Sequence, residues 1–113
     1  PYASLAALAL AKEAVDKNDH ELALKNLKWV VDHAPEGEFN LVARIRAARI
    51  MLAKKNHTEA IKMLEVKDMD GYEPLFLELK GDIFMEQNKP DDAKKVYVDA
   101  FKKIDKKAVQ HPL

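Results

Sequence analysis

The sequence predicts an all-α fold, a right-handed superhelix of three antiparallel helix pairs, and three observations predict it. The 113 residues include only three glycines, and β-branched residues are scattered rather than clustered, so helix is favoured nearly throughout. Five breaks interrupt the chain, at Lys17-Asn18-Asp19, Pro35-Glu36-Gly37, Lys55-Asn56-His57, Asp68 to Gly71 and Asn88-Lys89-Pro90. They delimit six helices near 3–16, 20–33, 39–54, 58–66, 73–87 and 91–104. Finally, small residues recur early in every second helix, at Ala23, Ala60 and Ala93, which lie 37 and 33 residues apart.

Those intervals bracket the 34-residue period of the tetratricopeptide repeat, a helix pair in which small and large apolar residues alternate at fixed places. The third copy matches best, with Leu77, Gly81 and Phe84 on its first helix and Ala93, Tyr97 and Ala100 on its second. Helix axes about 8 to 10 Å apart leave no room for a long side chain at the crossing, so Gly81 and Ala93 are expected to face each other, with Phe84 and Tyr97 filling the space beside them. The first copy supplies Ala7, Leu10, Ala11 and Ala14, then Ala23, Leu27, Val30 and the closing Pro35. In the middle copy Ala47, Ala48, Met51, Ala60 and Leu64 agree, but Arg44 and Lys67 stand where apolar residues are usual and Tyr72 replaces the terminal Pro. Lys80 is a similar departure in the third copy. The expected organisation is a single domain over 1–106, with repeats about 4–37, 41–73 and 74–106, and a tail over 107–113 cut short by truncation.

Composition narrows the function. The 19 basic and 19 acidic residues cancel, so no surplus positive field favours nucleic acid. Absence of cysteine removes thiolate nucleophiles, disulfides and most structural zinc sites. The most apolar stretch, Ala3 to Ala11, is nine residues long, where a membrane-spanning helix needs about 20. The chain begins on Pro1 without an initiator Met, which suggests a fragment with flanking segments removed.

No constellation suited to catalysis, cofactor or metal binding emerges, and the expectation is a non-enzymatic protein. Histidines 20, 33, 57 and 111 form no His-x-x-x-His pair. His20 and His57 occupy equivalent places in successive repeats and read as turn-packing residues, with a pH-responsive role as the rival. Ser4 and Thr58 read as helix caps rather than nucleophiles, and Asp91 and Asp92 as complements to a helix dipole behind Pro90. Trp29, the only tryptophan, reads as core packing before partner contact.

Stacked helix pairs curve so that the first helix of each pair lines the concave face. The inward positions are then Leu5, Leu8 and Lys12, followed by Ile45, Arg49 and Leu52, then Glu78, Asp82 and Glu86. Such a groove, apolar and basic at one end and acidic at the other, suits a peptide of mixed character; the rival reading is a solvated face whose charges pair with one another. The first helix is apolar on nearly every side, so either upstream helices cover it or the chain self-associates through it.

Over about positions 1–105 the chain also resembles one repeat family, on Tyr2-Ala3-Ser4-Leu5-Ala6, Leu27-Lys28-Trp29, Ala43-Arg44-Ile45-Arg46-Ala47-Ala48-Arg49, Gly71-Tyr72 and Leu79-Lys80-Gly81-Asp82. It is similar to the periplasmic domain of the YfgM family, the ancillary subunit of the bacterial SecYEG translocon. The resemblance implies a domain held on the periplasmic side of the inner membrane by an anchor absent from these residues. It implies as partners the translocon and a periplasmic prolyl-isomerase-type chaperone, with roles in passing on secreted proteins and in envelope-stress signalling. The alternatives are a chaperone-like module that binds unfolded clients directly and a cytosolic repeat adaptor.

Overall fold

In the computed structural model, which describes residues 2–110 with side chains through position 104, six helices follow one another with no strand among the described residues. They are α1 (Tyr2–Asp16), α2 (His20–His33), α3 (Glu38–Ala53), α4 (His57–Met63), α5 (Glu73–Glu86) and α6 (Pro90–Gln110). Boundaries agree closely with the sequence reading except at α4, which stops short, and at α6, which continues past the expected end at 104. Of the expected tail, positions 111–113 with His111 lie outside the described residues.

The three hairpins turn in one way. Asn18, Lys55 and Asn88 take left-handed φ angles of 61°, 66° and 60°, at the same spacing as the three alanines. The next N–H reaches back five residues each time: Asp19 to the Ala14 carbonyl at 2.7 Å, Asn56 to Met51 at 2.8 Å and Lys89 to Phe84 at 2.9 Å. That bond satisfies a carbonyl which the end of the first helix would otherwise leave unpaired. At the start of α2, Asp19 accepts the Leu22 N–H at 3.1 Å. Ser4 and Thr58 lie inside the first turns of α1 and α4, and Ser4 is buried, so neither is the expected cap.

Helices pack as pairs, α1 with α2, α3 with α4 and α5 with α6, and the pairs join through α2 on α3 and α4 on α5. Among the described residues the first helices also approach each other, α1 to α3 and α3 to α5, while α2, α4 and α6 do not. The stack therefore bends toward its first helices. Its smallest dimension, 24 Å, is that of two helix layers of about 10 to 12 Å each.

Small residues lie where the helices meet: Ala11, Ala23, Ala48, Ala60, Ala93 and Ala100 are buried, as are Leu27, Leu64 and Gly81. Phe84 and Tyr97 are half-buried. The geometry at Gly81 differs from the expected Gly81–Ala93 contact: the atoms nearest its absent side chain belong to the Tyr97 ring, with which any Cβ at this position would collide. The ring lies across the glycine and its hydroxyl donates to Asp82 Oδ1 at 2.5 Å. Burial, assisted by that bond, pushes the Tyr97 phenol up to about 12.

The irregular middle repeat has a physical reason. Arg44, anomalous in the pattern, donates Nε to Asn40 Oδ1 at 2.8 Å and a guanidinium N–H to the Met63 carbonyl at 3.0 Å, while Asn40 Nδ2 donates to the Val31 carbonyl at 3.2 Å. One polar chain thus serves carbonyls at the C-terminal ends of both α2 and α4. Partial burial lowers the Arg44 guanidinium and the charge of Asp32 opposes that change. Tyr72, in place of the closing proline, donates its hydroxyl to Glu38 Oε1 at 2.7 Å and links the start of α5 to the start of α3. Glu38 thereby raises the Tyr72 phenol above its usual value.

Candidate functional site

A hollow of about 290 Å³ opens between α1 and α3. Its apolar lining comes from Ala11 and Val15 on α1, Leu27 on α2 and Ile50 on α3; Lys12, Arg46 and Arg49 stand around it. Helical spacing explains the set. Ala11 and Val15 are four residues apart, as are Arg46 and Ile50, and Arg46 and Arg49 are three apart, so each group stays on one side of its helix. Lys12, Arg46 and Arg49 are exposed and, among the described residues, none has an ion-pair partner.

The expected concave residues divide. Lys12 and Arg49 meet at this hollow, Leu5 is exposed and Leu52 is half-buried. Leu8 and Ile45 are only 8% and 5% exposed and belong to the core, where α1 and α3 turn those faces inward, and neither lines the hollow. Arg46 was not singled out from the sequence; its position three residues before Arg49 was the available signal. On α5, Glu78, Asp82 and Glu86 are exposed, but two are engaged. Asp82 holds the Tyr97 hydroxyl, and Glu86 Oε1 lies 3.5 Å from Lys55 Nζ and 3.4 Å from His57 Nε2. His57 thus bridges from the second hairpin turn to α5.

A second hollow of about 380 Å³ lies between the segments around Gly37 and Asp68. One of its carboxylates serves the loop: Asp68 Oδ1 accepts the Asp70 N–H at 3.1 Å. No cluster of three or more His, Asp or Glu side chains suited to a metal occurs among the described residues. Trp29 is 37% exposed on α2 and stacks on His33 with ring centroids 4.1 Å apart, a surface pair rather than the expected core residue. No helix among the described residues is long and apolar enough to cross a membrane.

Comparison with known proteins agrees with this architecture. An ancillary SecYEG translocon subunit of Neisseria gonorrhoeae is 28% identical over 111 residues, covering 98% of this chain and 53% of that protein. Proteins of the same description from Buchnera aphidicola subsp. Acyrthosiphon pisum and Escherichia coli are 30% and 26% identical over 81% and 85% of this chain, and 48% and 47% of their own lengths. The chain thus spans about half the length of the curated relatives it matches. No solved structure matches it. A family model described as a tetratricopeptide repeat-like domain matches residues 1–113, and with three helix pairs stacked in the manner of that family, the chain belongs to it.

Proposed function

We propose that this chain is a protein-docking module, a single domain over 1–106, that recruits partners on its concave side for a bacterial SecYEG translocon at the periplasmic face of the inner membrane. The observation that carries the reading is the α1–α3 hollow, where exposed cations without ion-pair partners among the described residues surround an apolar floor. A repeat stack supplies affinity through such a surface and needs no reactive group. The family match over residues 1–113 and the names of three relatives support the same direction. In this reading the partners include the translocon and a periplasmic prolyl-isomerase-type chaperone.

Capture of purified SecYEG in nanodiscs by the immobilised chain is the direct measurement. Reversing Arg49 and Glu78 together (Arg49→Glu with Glu78→Lys) is expected to weaken capture by about tenfold or more while thermal unfolding stays unchanged. Undiminished capture by the folded double variant moves the docking surface elsewhere. A second reading, direct binding of unfolded clients, draws on the exposed Tyr2, Leu5 and Leu10 of α1. It predicts comparable binding of many unrelated apolar peptides, where an adaptor selects one folded partner.

A further inference from the structure

Lys12, Arg46 and Arg49 stand at one hollow in a chain whose acidic and basic residues are equal in number, so local charge balance would have been easy to achieve. Carboxylates are instead distributed elsewhere, with Glu86 drawn to Lys55 and His57 and Asp82 to Tyr97. Beneath the cations Val15 is still 43% exposed, next to Ile50 and Leu27. An apolar floor alone accepts any hydrophobe, and cations alone accept any anion. Together they select a segment in which a bulky apolar side chain has carboxylates beside it. Along the same row of first helices the sign then changes, because α5 presents the exposed Glu78 and Asp82.

We propose that the α1–α3 groove docks an acidic segment of a partner protein, with one bulky apolar side chain against Val15 and Ile50 and its carboxylates held by Lys12, Arg46 and Arg49. Glu78 and Asp82 repel the acidic part, so the segment lies with its acidic end over α1 and α3 and its neutral or basic end toward α5. The proposal rests on the docking-module reading only in placing the partner on the concave side.

The test uses the whole chain and dye-labelled synthetic peptides: one with a Leu centred among Asp and Glu, one with Ser in place of that Leu, and one with Lys in place of every acid. The first is expected to bind at least about tenfold more tightly than either of the others. Its affinity should fall as NaCl rises from about 0.05 to 0.5 M, because the charges involved are exposed and screened. Val15→Asp and the pair Lys12→Glu with Arg46→Glu should each weaken it by about tenfold or more. The charge-reversed pair should in turn gain affinity for the Lys peptide, a result that misfolding would not give. Equal binding of acidic and basic peptides, or full affinity in the double variant, overturns the proposal. Displacement of the dye-labelled peptide by phosphatidylglycerol vesicles but not by excess unlabelled acidic peptide overturns it too, and assigns the groove to an anionic lipid surface. Failure of translocon capture with the peptide pattern intact removes the translocon reading and leaves the groove; capture with no peptide discrimination does the reverse.

Discussion

At the scale of single residues, Gly81 is required for space: the Tyr97 ring fills the volume that any side chain there would need. Gly81→Ala is therefore expected to cost about 1 to 3 kcal/mol, since the ring must shift. At about 4 °C per kcal/mol for a chain of this size, a melting curve resolves it. Gly81→Ala combined with Tyr97→Leu should cost less than the two single changes added together, because the clash is shared. Tyr97 carries a second expectation. Its phenol is raised to about 12, so the folded state favours the protonated form. The stabilisation is complete below the ordinary tyrosine value near 10 and is lost as pH climbs from there toward 12. Tyr97→Phe should flatten stability over that interval, and phenolate absorbance should lose its most alkaline component. An unchanged alkaline slope would assign the sensitivity to other groups.

At the scale of elements, the recurring turn is where sequence and conformation are least well matched. Asn18 and Asn88 suit the left-handed backbone, whereas Lys55 adopts φ 66° against its preference. Lys55→Gly should raise stability by about 0.5 to 1 kcal/mol, measured as a melting temperature a few degrees higher, less a small loss from the exposed pair with Glu86. A lower melting temperature would mean that the Glu86 contact outweighs the backbone strain. Helix existence and most boundaries were legible because breaks and small residues are local signals, and Asn18, Asp19, Asn88 and Pro90 mark their turns directly. The end of α4 was not legible. The carbonyl of its last residue, Met63, accepts from Arg44 across 19 residues of sequence, a contact that no local pattern carries. For the same reason the faces of α1 and α3 were only partly assigned: both helices are apolar on several sides, so periodicity could not tell that Leu8 and Ile45 turn inward while Val15 stays open. Lys12 and Arg49 were recoverable, since charge on such a helix marks its wet side.

At the scale of the whole molecule, each helix is as secure as its neighbours make it. Among the described residues α6 rests on α5 alone, whereas α3 touches α1, α2, α4 and α5. Hydrogen exchange followed by mass spectrometry should therefore release α6 amides first and retain α3 amides longest. Uniform protection would instead indicate one closed cooperative unit. The centre of this arrangement also holds an unusual concentration of methyl groups, since Ala43, Ala47 and Ala48 on α3 are all fully buried. They act as shims. A protein interior has no slack, so one added carbon beneath α3 would throw the two ends of the molecule out of true, as a folded card under a hinge does to a door. The gap that receives a partner can thus be widened or narrowed by residues the partner never touches.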